Sequence, residues 1–421
     1  MHSNSYRRTT CRLCGDGELD LALPIAATPI GDHYVKADRL NDPQPLHSLD
    51  LYLCRGCGHL QLLDVVDPEQ LFGEYTFVTA SSGGLVEHFR NHADDVMARS
   101  GAKPGGLVVE IGSNDGSLLR FYQQKGFRVQ GVDPAREIAR RATDTGINTL
   151  PTFFTLAVAE QILEQHGPAA ICEANNVYAH ADDLGGITAG VAKLLAPDGI
   201  FVFEASYLLD TLDKKLFDTV YHEHVSYHGV APLVKFFAAH GLELFDIERI
   251  ATKGGSIRGF VQPAGGPRPK APIVDELCEL ERSRGFDKVE TFQAYAAGLQ
   301  TTKQRLHELL TSIATETGKP DEALFAGFGA GVTMTTLIYH FELGERLKFL
   351  VDDNPSKHGM FSPGLHLPVL SSQELYERRP AAVVILAWQY ADAIMKKHAK
   401  FLESGGRFVV PLPEPRVVEK S

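Results

Sequence analysis

The chain has 421 residues, of which 44% are hydrophobic and 22% charged. That is enough for two to four packed domains at roughly 100–200 residues each. Lys and Arg number 41 against 53 Asp and Glu, a net charge of −12 that argues against non-specific binding to nucleic acid or anionic membrane. No apolar run reaches about eighteen residues, so no membrane span is expected. Residues 1–10 are polar and lack an apolar signal core, which points to a cytoplasmic location. Six cysteines in such a compartment imply metal ligation or burial rather than disulfides.

Residues 1–71 are irregular and carry two CxxC pairs, Cys11-Arg-Leu-Cys14 and Cys54-Arg-Gly-Cys57, with 39 residues between them. Four thiolates suit a closed, tetrahedral, structural zinc site. The gap exceeds the usual zinc-ribbon spacing, so an extended loop must join the pairs. Four unrelated buried thiols is the alternative. Cys172 and Cys278 stand singly in apolar surroundings and are expected in the core.

Residues 72–265 alternate strand and helix patterns. Strands are expected at 107–111, 127–132, 147–150, 169–174 and 200–204. Helices are expected at 117–125 and at 134–145, the latter with Pro134 in its first turn. An antiparallel hairpin, 242–250 and 256–261, closes the segment. The alternation predicts a doubly wound α/β sheet with helices on both faces.

The first strand leads into Val109-Glu-Ile-Gly-Ser-Asn-Asp-Gly116, a G-x-x-x-G turn rather than the G-x-G-x-x-G of dinucleotide binders. Glycines there let a ligand approach the backbone. Glu110 and Asp115 would repel a pyrophosphate but suit the sulfonium and amino group of S-adenosylmethionine. The second strand ends at Asp133, placed to hold ribose hydroxyls. A solvated turn in some other α/β enzyme is the competing reading.

Val220-Tyr-His-Glu-His-Val-Ser-Tyr-His228 concentrates imidazoles, phenols and a carboxylate after the fifth strand. His can take a proton near neutral pH and Tyr can stabilise an oxyanion, the pair needed to remove a proton beside a carbonyl. A metal site and a polar surface loop are the alternatives; the H-e-x-x-h zincin spacing is absent. His180 follows the fourth strand, and Tyr75 lies at the junction of the first two segments. Either is a candidate for the same site or a structural residue.

Residues 265–272 form a Gly/Pro linker, and 274–315 a helical stretch. A second α/β pattern fills the rest of 266–421. Its first turn, Gly327-Phe-Gly-Ala-Gly331, with Asp352 downstream, fits either a dinucleotide site or a turn kept tight for packing.

Taken in order, the paired CxxC knuckles, the Val109–Gly116 loop, the Tyr221-His-Glu-His224 run, Lys253-Gly-Gly255 and the second glycine turn resemble the nucleotide-sugar C-methyltransferases of deoxysugar pathways, the tetronitrose type. The resemblance covers nearly the whole chain. It implies a zinc-binding N-terminal domain, a class I methyltransferase domain and a C-terminal Rossmann-like domain that completes a sugar-nucleotide cleft. The implied reaction is S-adenosylmethionine-dependent methylation of a keto sugar nucleotide at the carbon beside the ketone, through an enolate. His224 is the implied base, with Tyr221, Glu223, His180 and Tyr75 around it. Glu110, Gly112, Asn114, Asp115, Gly116, Asp133, Phe153 and Asn175 are the expected cofactor residues. Where the family often has an acid after the third strand, this chain has Thr152, with Phe153 available for stacking. Residues 76–82, Thr-Phe-Val-Thr-Ala-Ser-Ser, depart from the family pattern. O- or N-methylation by the same fold is the runner-up. The partners expected are a nucleotide sugar, with no nucleic acid or membrane, for a monomer or homodimer.

Overall fold

The computed structural model describes residues 5–73, 78–318 and 322–420. They form two compact units, each drawn from separated stretches. The first comprises Met1–Asp20, Tyr52–Asp210 and Val225–Lys288; the second comprises Leu21–Leu51, Thr211–His224 and Val289–Ser421.

The first unit is built on seven strands: β1 (Leu107–Ile111), β2 (Arg128–Val132), β3 (Thr149–Leu150), β4 (Ala169–Asn175), β5 (Leu195–Ser206), β6 (Leu242–Ile250) and β7 (Ser256–Pro263). Their order is β6-β7-β5-β4-β1-β2-β3. β1 to β5 run parallel, and β7 runs antiparallel between β5 and β6. β1 is buried at all five positions, as a strand covered on both faces must be. Helices α1 (Gly83–Ser100) and α2 (Ser117–Gln124) supply Phe89, Val96, Leu118, Leu119 and Tyr122 to the core against Val108, Ile171 and Val202. The strand order reverses between β1 and β4, and in such sheets ligands bind outside the carboxyl ends at that point.

Two expectations shift. Helix α3 (Arg136–Asp144) begins after the Pro134 turn rather than in it, because the Asp133 carboxylate accepts from the Ala135 amide and holds that residue extended. The stretch 274–315 is two helices, Pro272–Ser283 and Val289–Glu316, separated by a turn in which Gly285 has φ +68°.

The second unit carries β8 (Phe325–Phe328), β9 (Leu347–Asp352), β10 (Val369–Ser371), β11 (Ala382–Ile385), β12 (Phe408–Val410) and β13 (Arg416–Val418), in the order β10-β9-β8-β11-β12-β13. All run parallel except β13. Helix α4 (Val332–His340) follows β8. Among the described residues no helix is long and apolar enough to cross a membrane.

Candidate active site

The two CxxC pairs are each closed by the same turn. Gly15 donates to the Cys11 carbonyl and Gly58 to the Cys54 carbonyl, both glycines at positive φ (+76° and +81°). The turns bring the four thiols together, with Cys11 Sγ 3.6 Å from Cys57 Sγ and Cys14 Sγ 3.5 Å from Cys54 Sγ. A tetrahedral zinc with bonds of about 2.3 Å sets its sulfurs about 3.8 Å apart, so the donors fit the ion. The Cys57 thiol bond holds Cys11 down to about 5, while the same bond and burial push Cys57 up and burial pushes Cys54 up to about 12. Crowded thiols resist sharing negative charge, and a dication relieves that.

At the carboxyl end of β1 the chain turns through Gly112 (φ +70°), where an added Cβ would lie 2.3 Å from Val177 Cγ2. The turn is braced from β2: Gly112 donates to the Val132 carbonyl at 2.7 Å and Asn114 to Asp133 Oδ2 at 2.8 Å. Above it lies a cavity of about 520 Å³, the size of a small-molecule site. Glu110, Gly112, Asn114, Asp133, Phe153, Asn175 and His180 all line it. Asp115 and Gly116 support the turn from behind. Asp115 accepts from Ala80 and Ser117, and Gly116, at φ +74°, sits against Ile147. Asp133 is held by the Asn114 and Ala135 amides, yet a carboxylate oxygen can accept more than one bond.

Glu110 Oε2 and Asn175 Oδ1 are buried without a hydrogen-bond partner. Burial, then the charges of Glu173, Asp133 and Asp115, push the Glu110 carboxyl well above the carboxylate range. A site of this kind favours a cation that also donates hydrogen bonds, as the ammonium of S-adenosylmethionine does. Beneath it a buried network fixes the floor. Asn175 Nδ2 donates to Glu173 Oε2 at 3.1 Å, His92 bridges Glu173 at 2.8 Å and Glu204 at 3.0 Å, and Arg258 grips Glu204 at 2.7 Å. Burial opposes charge on His92, but the two carboxylates outweigh it and raise it to about 9. His88, His92 and Glu204 have metal-ligating atoms within reach of one another, but Arg258 already satisfies Glu204 there.

Sequence spacing did not identify Tyr6, Phe72, Asp182 or Lys253, which also line the cavity. Phe72 stacks on His180, ring centroids 5.7 Å apart at 11°. Lys253 belongs to the Lys253-Gly-Gly255 run that the family resemblance includes. Tyr6 and Phe72 come from the cysteine-bearing segment, and no local pattern signals them. Tyr75 lies outside the described residues.

The histidine run separates into three roles. In the second unit, His224 is buried and its Nδ1 lies 2.8 Å from the Thr219 carbonyl, which makes Nδ1 the protonated nitrogen. Its Nε2 is left as the acceptor and receives the Tyr221 hydroxyl at 2.8 Å. Glu223, half-buried, stands between them in the chain. His222 turns away to pack edge-on against His47, and burial pushes it down to about 3. In the first unit, His228 is buried against Tyr178 and stacks on His59. Of the three histidines in this run, His224 is the one that combines a fixed tautomer with a basic nitrogen hydrogen-bonded to a phenol.

The second glycine turn repeats the bracing of the first. Gly329 donates to the Val351 carbonyl and Ala330 to Asp352 Oδ2. Here another stretch of the chain packs against the turn. A Cβ on Gly31 would lie 2.8 Å from Val332 Cγ2, Thr335 donates to the Gly31 carbonyl, and the buried Tyr34 packs beside Gly331.

Three family models match in chain order: a zinc-binding domain over residues 11–72, a methyltransferase domain over 85–247 and a C-methyltransferase C-terminal domain over 251–413. Sheet, cavity and thiol cluster define a class I, S-adenosylmethionine-dependent methyltransferase with a zinc-binding N-terminal segment. C-methyltransferase NovU of Streptomyces niveus is 36% identical over 409 residues, 97% of this chain and 96% of its own. The chain belongs to this C-methyltransferase family. Among solved structures, an S-adenosylmethionine-dependent methyltransferase from Clostridium acetobutylicum is 13% identical, covering 43% of this chain and 92% of its own at a TM-score of 0.35. Magnesium protoporphyrin IX methyltransferase from Synechocystis, with bound S-adenosylhomocysteine, is 18% identical, covering 46% and 92% at 0.33.

Proposed function

We propose that the chain methylates a keto sugar nucleotide at the carbon next to its ketone, through an enolate generated by His224. The observation that carries this reading is the fixed tautomer of His224: Nδ1–H donates to the Thr219 carbonyl, leaving Nε2 basic and paired with the Tyr221 hydroxyl. O-methylation of a hydroxyl can also use a general base; proton removal from a C–H beside a ketone, a weaker acid, additionally needs a donor for the developing enolate oxygen, and the Tyr221 phenol beside Nε2 is suited to that.

Glu110, Gly112, Asn114, Asp133, Phe153 and Asn175 would hold S-adenosylmethionine, which supplies an electrophilic methyl group to the enolate carbon. His224 Nε2 accepts the substrate proton, directly or through the Tyr221 phenol as that phenol passes its own proton to Nε2. In either case the positive charge ends on the imidazole. Tyr221, with Tyr75 or His180, would stabilise the charge on the enolate oxygen. Glu223 flanks the base. The proposed setting is the cytoplasm, where sugar nucleotides are available.

A screen of keto sugar nucleotides with S-adenosylmethionine tests the reading. It expects a product one methyl heavier, with NMR placing the methyl on the carbon beside the carbonyl. Methyl on oxygen or nitrogen would overturn it.

A further inference from the structure

Arg12 lies between the two cysteines of the first knuckle, and its side chain is fully buried. A charge so placed is costly unless its geometry is used. Its guanidinium reaches three parts of the first unit. Nε donates to Asp182 Oδ1 at 2.8 Å, and Nη1 donates to Gln61 Oε1, the Leu62 carbonyl and, at 3.1 Å, the Val225 carbonyl. Asp182 lines the cofactor cavity two residues after His180. Val225 follows His224 in the chain.

The strand pairing of the segment after Val225 is short. Ser226–Tyr227 forms a two-residue strand, with Ser226 opposite Gln61 and Tyr227 opposite Leu60. The Leu62 amide also donates to the Val225 carbonyl; on the other flank the Ala179 carbonyl takes both the Val225 and Ser226 amides, and Leu208 donates to the His228 carbonyl beside a single bridge to Tyr207. A pairing this short specifies register poorly, and a one-residue slip moves the chain about 3.3 Å and reverses its side chains. The surrounding layer is polar where apolar packing would be more stable. His59 Nε2 meets Ser226 Oγ at 3.2 Å, and Gln61 Oε1 also takes the Arg12 amide. Fixed polar geometry of this kind selects one register where an apolar layer would tolerate several.

We propose that Arg12 is a positioning residue for methyl transfer. By binding Val225 and Asp182 at once, it fixes the register of the strand that follows His224 and the loop that carries His180. The proposal rests on the reading of His224 as the base. It also gives the knuckle a role beyond stability, since Cys11 and Cys14 fix Arg12 from both sides.

The test compares Arg12→Met, Arg12→Lys and His224→Asn in the full chain. It measures zinc content, S-adenosylhomocysteine affinity by calorimetry, and kcat and KM for the sugar nucleotide. Arg12→Met should keep its zinc and its cofactor affinity within about threefold. Its kcat should fall about tenfold to a hundredfold, with KM for the sugar changing less, as expected for a misplaced catalytic group. Arg12→Lys keeps a cation for Asp182 but lacks a fork to span the carbonyls, and should recover part of kcat. If Arg12→Met does not fold, a lowered kcat in Arg12→Lys at unchanged zinc content supports the proposal. Wild-type kcat in the folded variants overturns it, as does loss of zinc together with activity. Turnover retained by His224→Asn overturns the base reading and this proposal with it. Turnover lost there, with Arg12 variants at wild-type kcat, overturns the register role alone.

Discussion

The two glycine turns of this molecule are built alike and used differently. In each, a glycine after the first strand donates to the last residues of the second strand, and the acid at that strand's end takes the next turn amides. At Gly112 the space above is a cavity with an orphaned Glu110 oxygen. At Gly329 the chain packs its own residues against the turn. Gly31 and Tyr34 cover the turn, Trp388 donates to Asp218 Oδ2 at 2.9 Å, and Thr336 donates to the Val220 carbonyl at 2.7 Å. The glycines and the acid are therefore devices of the fold. A buried polar group left unsatisfied, beside open volume, is what marks a ligand site.

The comparison breaks most sharply at the glycines. Gly112→Ala should weaken S-adenosylhomocysteine binding about a thousandfold, or ~4 kcal/mol, since the new Cβ meets Val177 at positive φ. Gly329→Ala, at φ +117°, should cost about 1–3 kcal/mol of stability and leave that affinity alone. Calorimetry and thermal melts on both variants decide the matter; a cofactor defect in Gly329→Ala would erase the distinction.

Tyr34→Ala should destabilise the protein by about 3 kcal/mol through lost packing. Uncovering the second turn should still produce no nicotinamide affinity, measurable by fluorescence titration. Glu110→Gln should weaken the cofactor about tenfold, near 1.4 kcal/mol. The sign of the pH effect follows from the raised Glu110 carboxyl. That carboxyl keeps its proton to higher pH than an ordinary carboxylate, and an arriving cation lowers it, so over the range where it titrates binding releases protons and affinity rises with pH. Calorimetry in buffers of different ionisation enthalpy should show that release in wild type and none in Glu110→Gln. Trp388→Phe should have the smallest effect. It removes one donor to Asp218, next to the Thr219 carbonyl that orients His224, and should lower kcat about threefold at unchanged cofactor affinity.

Features set by local chemistry were legible in the sequence. The CxxC knuckles, both glycine turns and the closing hairpin each depend on residues a few positions apart, and the structure shows them near the expected bounds. The histidine run was legible as chemistry but not as geometry. Density alone does not say that His222 turns to His47, that His228 stacks on His59, or that Thr219 fixes the His224 tautomer. Least legible were contacts between distant stretches. The loop between the knuckles supplies Gly31 and Tyr34 to the second unit, and Tyr6 and Phe72 reach the cofactor cavity, because tertiary packing rather than spacing brings them there.

Hydrogen exchange at substrate carbon tests the central claim most directly. The keto sugar nucleotide is incubated in D₂O with the protein and S-adenosylhomocysteine, so that no methyl can be transferred. Wild type should exchange the hydrogen beside the ketone, and His224→Asn should do so about 10²–10⁴-fold more slowly while binding S-adenosylhomocysteine normally. No exchange in wild type, or undiminished exchange in the variant, would contradict a carbon base at His224.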